Sequence, residues 1–400
     1  MASDGEGRGR RVLIVIENLP APFDRRVWQE ARTLRDAGYQ VVIVCPQMKG
    51  YDAPYEEIEG IPIYRHPLPF EARGAAGYLL EYATALFWEA VLMWRVFFKH
   101  GFDVVHACNP PDLIFLNALP FKLFGVRFLF DHHDINPELF EVKFGNRGFF
   151  YRMIALVEWL TFKTADVSIA TNESYREIAI QRGGMDPDRV FVVRSGPDLT
   201  RLELREPVPE RRHGKRFLVG YVGVMGKQEG IPYLLEAARI IVRELGRADV
   251  HFTLVGGGPE LDALIEESRA MGLGDCVDFT GRAPDDELLD VLNTADVCVN
   301  PDEHNPMNDK STMNKIMEYM ALGKPIVQFE LTEGRVSARE ASLYAKPNDA
   351  RDLALKIVQL LDDPEERTRM GQIGRERVER DLAWPHEVPK LLAAYQKLWS

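Results

Sequence analysis

The sequence predicts an α/β protein with two domains, each built on a doubly wound parallel sheet. The chain has 400 residues, which suits two domains of ordinary size and is too long for one compact domain. Short apolar runs of strand type alternate with helical stretches, the pattern of parallel strands joined by right-handed crossovers. A polar, proline-containing stretch at residues 198–215 separates two series of such runs, and we expect a linker there.

The first series of elements begins with the apolar strand RVLIVIE at residues 11–17. A helix is expected at about residues 25–37, because Gly38 follows it as a stop signal. The strand YQVVIVC comes next. Apolar runs predict four further strands, at residues 103–107, 127–131, 167–170 and 190–194.

The second series contains five apolar runs, with the sequences FLVGYVG, HFTLVGG, CVDFTG, DVCVNP and KPIVQF. The expected domains are residues 1–200 and 201–384. A last helix at 385–400, bent at Pro385, is expected to pack back on the first domain. In doubly wound sheets, ligands bind beyond the carboxyl ends of the strands, where loops open onto helix N-termini. Two such sheets facing each other would bind a ligand in the cleft between them.

Composition and charge exclude several classes of protein. Hydrophobic residues make up 46% of the chain and charged residues 28%, which is typical of a soluble globular protein. The net charge of −12 disfavours a nucleic-acid-binding protein, because such proteins carry a basic surface. The N-terminal sequence MASDGEGRGRR lacks the apolar core of a signal peptide, so a cytoplasmic protein is expected. Four widely spaced cysteines predict buried thiols rather than a zinc site or disulfides: Cys45, Cys108, Cys276 and Cys298.

One apolar segment, at residues 78–98, is nearly as long as a bilayer requires. Glu81, Glu89 and Arg95 interrupt it, and each is costly at bilayer depth, so a spanning helix is not expected. A buried helix is favoured. The alternative is an interfacial helix in peripheral contact with a membrane, because aromatic residues cluster here and again at 121–130 and 144–151.

The most specific stretch is NPMNDKSTMNKIMEYMALGKPIV at residues 305–327. Ser311 and Thr312 are predicted to cap a helix, and Gly323 is predicted to end it before a buried strand. Free amides at such a helix start suit a diphosphate. Glu318 lies about two turns further into the helix. It is either a solvated helix residue or a buried carboxylate, and a buried carboxylate needs hydrogen-bond donors such as sugar hydroxyls.

The sequence EYMALGKPIV at residues 318–327 resembles the E-A-M-A-x-G-x-P-V-V block of retaining glycosyltransferases of the GT-B fold, family 4 (glycosyltransferase group 1). Other segments resemble the family as well, including LVGGGPELDAL, SGPD at 195–198 and HHD at 132–134. The resemblance covers residues 11–400. It implies two Rossmann-like domains facing a cleft. It also implies transfer of a sugar from a nucleotide-diphosphate donor to an acceptor hydroxyl, with retention of anomeric configuration and without an obligatory metal.

Three departures from the family pattern concern the groups that neutralise the diphosphate. Lys310, with Asp309 just before it, replaces the first acidic residue of the family's E-x7-E pair. Val224 and Glu229 replace the basic pair of the family's R-L-x-x-x-K-G motif. The Gly-Gly loop after the first strand is replaced by PAPFDRRVW. We therefore expect other cations to bind the diphosphate: Arg25, Arg26, Lys227, Lys310 and Lys315.

The resemblance implies roles for residues of both domains, with His133, Asp309 and Lys310 as the catalytic candidates. His133 is expected near the reacting sugar, with Asp134 orienting it and His106 behind them. Asp309 or Lys310 would contact the donor sugar or its phosphate, and Glu318 would bind the ribose hydroxyls. The other residues expected to bind the donor are Lys227, Gly223, Gly226, Ser311, Thr312, Met313, Asn314, Arg282 and Ala283. Arg335 is a further candidate for phosphate or acceptor.

No metal or other cofactor is expected. The sequence DHHD at 131–134 offers metal-ligand types, but His132 and His133 point in opposite directions on an extended chain. The DPD sequence at 186–188 lies in a predicted turn. Two other functions stay open, a nucleotide-sugar epimerase of the same fold and a non-catalytic nucleotide-sugar-binding protein. Acceptors of similar enzymes include lipid-linked sugars, polysaccharides and small metabolites.

Overall fold

The computed structural model describes residues 9–68 and 74–400, and it describes side chains at 9–68 and from residue 83 onward. The chain divides into two compact units. The first comprises the chain up to Ser195 together with Glu387–Ser400, and the second comprises Gly196–His386. The division falls a few residues before the boundary expected from the sequence.

Eight strands form the sheet of the first unit: β1 (Arg11–Val15), β2 (Gln40–Pro46), β3 (Tyr55–Ile58), β4 (Ile61–His66), β5 (Val104–Cys108), β6 (Arg127–His132), β7 (Val167–Ala170) and β8 (Val190–Val192). Their order across the sheet is β3-β4-β2-β1-β5-β6-β7-β8. Neighbouring strands are parallel except β3 and β4, which form an antiparallel hairpin at the edge. The predicted parallel sheet is confirmed. The hairpin was not predicted, because β3 is largely exposed and carries no apolar run.

In the described part of the chain before Ser195, the helices that follow these strands are α1 (Arg25–Asp36), α2 (Gly74–Lys99), α3 (Phe115–Lys122), α4 (Asn136–Phe144), α5 (Phe149–Thr164) and α6 (Glu173–Gln181). Helix α1 confirms the sequence prediction. The Asp24 carboxylate accepts a hydrogen bond from the Val27 amide at 3.1 Å and so caps its start. Gly38 follows its end with φ of 91°, a value that favours glycine.

Helix α2 contains the apolar segment that raised the question of a membrane. Glu89 is fully buried, whereas Phe87 and Phe98 are 61% and 80% exposed. The helix is therefore buried on one side only, and the expectation of a buried helix holds for that side alone. Among the described residues, no helix combines the length and apolar character that crossing a bilayer requires.

The sheet of the second unit has six strands: β9 (Phe217–Val222), β10 (Val250–Val255), β11 (Val277–Gly281), β12 (Val297–Asn300), β13 (Ile326–Phe329) and β14 (Ser342–Ala345). Every strand pair is parallel, in the order β11-β10-β9-β12-β13-β14. The helices that accompany them are α7 (Ile231–Arg239), α8 (Leu261–Ala270), α9 (Asp285–Thr294), α10 (Asn314–Ala321), α11 (Thr332–Ala338), α12 (Ala350–Asp362) and α13 (Pro364–Arg377). The second doubly wound sheet is thus also confirmed.

The sequence predicts a linker at residues 198–215, but in the structure this stretch packs against the second unit. Leu202 is 1% exposed within the core of the second unit. Arg205 donates to Asp286 Oδ1 at 2.9 Å, and Arg211 donates to Glu287 Oε1 at 2.9 Å. The arginines of this polar sequence therefore fix it to helix α9, which begins with three acidic residues.

The last helix, α14 (Trp384–Lys397), begins at the boundary between the units. Pro385 lies in its first turn, where proline is tolerated, and the break in the helical run falls just before it, at Ala383, whose ψ is 152°. Beyond it, the Glu387 carboxylate accepts a hydrogen bond from the Arg194 amide at 2.9 Å, and the Tyr395 hydroxyl lies 2.8 Å from His106 Nδ1. These contacts place the end of the chain in the first unit.

Candidate functional site

Three loops meet at the carboxyl end of the sheet in the second unit. The Gly223 amide after β9 donates to Val255 O at 3.0 Å, and the Gly256 amide after β10 donates to Gly281 O at 2.9 Å. The Met225 amide donates to Gly257 O at 3.0 Å. Main-chain hydrogen bonds therefore join the glycine-containing loops after β9, β10 and β11 into one connected edge.

Two glycines in this edge are required by close approach. A Cβ atom on Gly256, whose φ is 142°, would lie 1.8 Å from Gly223 O. A Cβ atom on Gly258 would lie 2.5 Å from Met225 O. Side chains at either position would force the loops apart, so the sequence GGG at 256–258 keeps the loops after β9 and β10 in close contact.

Helix α10 begins at Asn314, and Met313 before it makes no side-chain capping bond. The Ser311 hydroxyl instead donates to Met307 O at 2.8 Å, because a short helical turn at Asn308–Lys310 precedes it. The predicted capping by Ser311 and Thr312 is therefore wrong. The prediction that Gly323 ends the helix is confirmed, since its φ is 64° and its amide donates to Met320 O.

Lys315, in the first turn of α10, is the centre of a buried ionic cluster. Its Nζ donates to Asp302 Oδ1 at 2.7 Å and to Glu229 Oε2 at 2.7 Å, and it lies 3.4 Å from the Tyr221 hydroxyl. Burial alone lowers the pKa of Lys315, but the Asp302 carboxylate, Tyr221 and Glu229 hold it well above its usual value. Burial raises the pKa of Asp302 to about 7. The ammonium is thus already held by carboxylates, so a phosphate contact of Lys315 would have to compete with them.

Glu318 lies on the same helix and pairs with Arg201, whose Nη2 donates to Glu318 Oε1. Arg201 Nη1 also lies 3.6 Å from Asp285 Oδ2 at the start of α9. The Glu318 side chain is 17% exposed. It is therefore neither a fully solvated nor a fully buried carboxylate, and Arg201 fixes its position from the stretch that the sequence predicted to be a linker.

The other predicted residues of the second unit differ in their contacts and their burial. The Asp309 carboxylate accepts from the Thr332 amide at 2.8 Å and from the Thr332 hydroxyl at 2.9 Å, so it holds the start of α11. Arg335 pairs with Glu330 at 2.7 Å. Exposed side chains are Lys227, Asn314 and Arg282, and half-buried residues are Gly223, Lys310, Thr312, Met313 and Ala283, while Gly226 is buried.

In the first unit, Arg26 is buried among carboxylates. Its Nη2 lies 2.9 Å from Asp131 Oδ1 and 3.2 Å from Glu30 Oε1, and its Nη1 donates to Val193 O at 2.7 Å. The side chain is 7% exposed. The prediction that Arg26 binds the diphosphate is therefore not supported, because the guanidinium compensates buried acids. Arg25, beside it, is exposed.

His133 follows β6, as predicted, but a different carboxylate holds it. Its Nε2 contacts Asp131 Oδ2 and lies 2.9 Å from Arg26 Nε, and its side chain is 15% exposed. Burial alone raises the pKa of Asp131, but Arg26 and His133 hold it well below its usual value. Asp131, and not Asp134, therefore orients the His133 ring as an ionised partner.

Asn109, at the end of β5, fixes the backbone of this loop. Its Oδ1 accepts from the His133 amide at 2.6 Å, and its Nδ2 donates to Asp134 O at 2.6 Å. The sequence analysis did not single out Asn109, because its partners in the His133 loop lie 24 and 25 residues further along the chain. Asp131 lies in the DHHD sequence, so its contact with His133 could have been predicted from the two-residue period of a strand.

Two groups of side chains in the described part of the chain have metal-ligand chemistry. His106, Cys108 and Asp131 do not fit a metal, because Arg26 already occupies Asp131 and burial holds the pKa of the Cys108 thiol well above its usual value. His213 and His251 stack at 4.1 Å, and their Nε2 atoms lie 3.3 and 3.1 Å from Asp278 Oδ2. Hydrogen bonding to this carboxylate accounts for their arrangement.

Two family models match the chain, one for most of each unit. Residues 24–196 match a glycosyl transferase 4-like domain, and residues 216–363 match the glycosyl transferases group 1. The chain belongs to the glycosyltransferases. A curated relative of this glycosyltransferase is the alpha-maltose-1-phosphate synthase of Mycolicibacterium smegmatis, 26% identical over 69% of this chain and 74% of that protein.

Two solved structures show the same fold. Sucrose-phosphate synthase from Thermosynechococcus elongatus superposes on this glycosyltransferase with a TM-score of 0.79, at 20% identity over 98% of this chain and 99% of that one. HepE of Anabaena, in complex with UDP-glucose, superposes with a TM-score of 0.74, at 15% identity over 96% and 99% of the two chains. The expected GT-B fold is therefore confirmed.

Proposed function

We propose that this glycosyltransferase moves a sugar from a nucleotide-diphosphate donor to an acceptor hydroxyl, with retention of anomeric configuration and without an obligatory metal. The observation that carries the proposal is the position of Glu318. This residue of α10 has a half-buried carboxylate, and Arg201 fixes it. A carboxylate has lone pairs for several donors, so Glu318 can keep its ion pair and still accept from two ribose hydroxyls. HepE, which has the same fold, binds UDP-glucose, and this supports a nucleotide-sugar donor here.

The diphosphate of the donor would lie on backbone amides. The start of α10 would offer such amides, because helix starts favour negative charge and Met313 makes no side-chain capping bond there. Because Arg26 and Lys315 are held by carboxylates, the cations that remain as candidates are Arg25, Lys227 and Lys310. Gly281, Arg282 and Ala283 would contact the base through the main chain.

Retention would follow from attack on the face from which the nucleotide leaves. The acceptor oxygen bonds to the anomeric carbon as the bond to the diphosphate breaks. The acceptor proton passes to the departing phosphate oxygen, so no carboxylate nucleophile is needed. The proposed role of His133 is to accept a hydrogen bond from a hydroxyl of the transferred sugar through Nδ1, because Nε2 faces Asp131. The ionised Asp131 keeps its ring in place for that role.

A screen of UDP-, GDP- and dTDP-sugars tests this function. The purified chain is incubated with each donor and with candidate acceptors, and nucleotide release and sugar products are followed together. Nucleotide release with a glycosylated product supports transfer. An isomerised donor would identify an epimerase, and saturable binding without any product would identify a non-catalytic binding protein.

A further inference from the structure

Three helices of the first unit turn large apolar side chains to solvent. Leu123, Phe98 and Phe149 are 88%, 80% and 75% exposed. The exposed apolar residues on each helix or directly after it are Phe87, Val91 and Phe98 for α2, Leu116, Leu119, Leu123 and Phe124 for α3, and Phe149, Phe150, Met153, Leu156 and Trp159 for α5. We call this set the apolar face.

The spacing of these residues shows that they form stripes. Residues 87, 91 and 98 of α2 are four and seven positions apart, and residues 149, 153 and 156 of α5 repeat at four and three. The same helices bury other apolar residues toward the sheet, including Ala85, Met93 and Phe162. The exposed stripes are thus additional to the faces that form the core.

The stripes belong to one continuous surface, because the helices touch one another. The Trp94 ring of α2 packs 4.5 Å from Phe121 and 6.1 Å from Phe124. Asn117 on α3 donates to Leu86 O at 2.9 Å, and Lys122 at its end donates to Thr164 O of α5 at 2.7 Å. A contiguous patch of this kind marks an interaction surface rather than scattered exposed residues.

Charge is distributed unequally around the apolar face. In helices α2 to α5, the acidic side chains that the structure describes are withdrawn from solvent: Glu89, Glu138 and Glu158 are buried, and Glu141 is half-buried. The exposed charged side chains of these helices are basic: Arg95, Lys99, Lys143, Arg152 and Lys163. This basic surround contrasts with the net charge of −12 of the whole chain.

We propose that the apolar face docks on an anionic lipid surface, with α2, α3 and α5 lying in the interfacial plane. Exposed phenylalanine and leucine would enter the boundary between headgroups and acyl chains, while lysine and arginine would contact lipid phosphates. The proposal goes beyond the transfer reaction and does not depend on it. In this proposal the apolar face binds a membrane, and not a second copy of the chain or a soluble protein.

Vesicle co-sedimentation of the full chain tests the proposal. Binding to vesicles of phosphatidylcholine and phosphatidylglycerol should exceed binding to phosphatidylcholine alone by about tenfold or more, and high salt should weaken it. The triple variant Phe98→Ser, Leu123→Ser and Phe149→Ser should lose about tenfold or more of the vesicle affinity. Leu355→Ser, an exposed site on α12, is the matched control and should bind like the wild type.

The variants remain interpretable because the substituted side chains lie in solvent. Circular dichroism and thermal unfolding verify that each variant is folded. Equal binding by the wild type and the triple variant would overturn the proposal, as would a failure of the wild type to bind anionic vesicles at low salt. Sedimentation velocity measures the oligomeric state. A wild-type dimer that becomes a monomer in the triple variant would also contradict the proposal, because the apolar face would then bind a second copy of the chain. If the chain transfers sugar but does not bind vesicles, the membrane proposal is wrong and the proposed transfer reaction is unaffected.

Discussion

Lys315 Nζ lies 2.7 Å from Asp302 Oδ1, and this contact joins the first turn of α10 to the loop that follows β12. Glu229, from the turn before α7, accepts from the same ammonium at 2.7 Å. Glu229 stands where the resembling family carries a basic residue, and here a lysine on another element faces it. One ion cluster therefore connects the first turn of α10 to two loops at the carboxyl end of the sheet in the second unit.

Lys315→Met is expected to destabilise the second unit by about 3–5 kcal/mol, because it leaves the carboxylates of Asp302 and Glu229 buried without their cation. Urea unfolding measures the loss. Lys227→Met, at an exposed lysine, should change stability by less than about 0.5 kcal/mol. Unchanged unfolding of Lys315→Met with weakened donor binding would instead make Lys315 a phosphate ligand.

Glu318→Gln is expected to fold normally and to lose about 1.5–3 kcal/mol of transition-state stabilisation, since an amide is a weaker acceptor than a carboxylate. This corresponds to roughly a ten- to hundredfold fall in kcat/KM. Arg201→Gln should lower kcat/KM in the same direction, because Arg201 fixes Glu318. Glu340→Gln, at an exposed carboxylate, is the control. Wild-type kinetics for Glu318→Gln would remove this residue from the site.

Alanine substitutions separate structural cations from those that bind the donor. Among Arg25→Ala, Lys227→Ala and Lys310→Ala, at least one should cost about 2–4 kcal/mol in transition-state stabilisation while the protein stays folded. Arg26→Ala should instead lower the stability of the first unit by about 3–5 kcal/mol, because Asp131 and Glu30 lose their partner. Donor affinity, turnover and urea unfolding are measured for each variant.

Lys346→Ala, at an exposed lysine, is the matched control for these variants. If none of the three exposed or half-buried cations weakens affinity or turnover more than a few-fold, backbone amides alone would have to hold the diphosphate. A folded Arg26→Ala protein of normal stability would show that the Asp131 network does not need its cation.

Stability is expected to fall as the pH is lowered, in part through His132. Burial lowers the pKa of His132 to about 3, and its ring lies among Phe130, Phe162 and Tyr175. Between about pH 6.5 and pH 3 the unfolded chain binds a proton that the folded chain does not. His132 therefore makes the fold less stable as the pH falls through that range, and it contributes no pH dependence above about pH 6.5.

His132→Phe should remove this part of the pH dependence. Urea unfolding at a series of pH values gives the slope of stability against pH, which is independent of any constant change in packing energy. Burial also raises the pKa of Glu158 to about 7, which acts with the opposite sign, and Glu158 Oε1 lies 3.8 Å from His132 Nε2. The slopes are therefore compared below about pH 4.5, where Glu158 is protonated in both the folded and the unfolded chain. Equal slopes for the wild type and His132→Phe below about pH 4.5 would contradict the assignment.

Local patterns in the sequence predicted the elements but not the partners of the charged residues. Helix α1 and the end of α10 at Gly323 follow from capping and glycine signals within a few residues. The Glu318–Arg201 pair spans 117 positions, and Arg26 meets Asp131 across 105. No periodicity in the sequence predicts such contacts, because each depends on which segments the fold of its own unit brings together.

The predicted roles of Ser311, Thr312 and Asp134 show a related limit. Capping was inferred from position in the sequence, and the role of Asp134 was implied by the family resemblance. In the structure, Ser311 instead donates to Met307 O across the turn at Asn308–Lys310, and the strand period brings Asp131 to His133. A short helical turn before α10 leaves no strong signal, since its residues are polar and common in loops. Residue types at the site were therefore predictable, whereas their hydrogen-bond partners were not.

The central claim is retaining transfer from a nucleotide sugar, and NMR of the anomeric proton in donor and product tests it most directly. The purified chain is supplied with the donor that releases nucleotide fastest in the screen and with its acceptor, in EDTA. We predict a glycosylated product with the same anomeric configuration as the donor, formed at an undiminished rate. A product of inverted configuration, a donor that is only isomerised, or turnover abolished by EDTA would contradict the account.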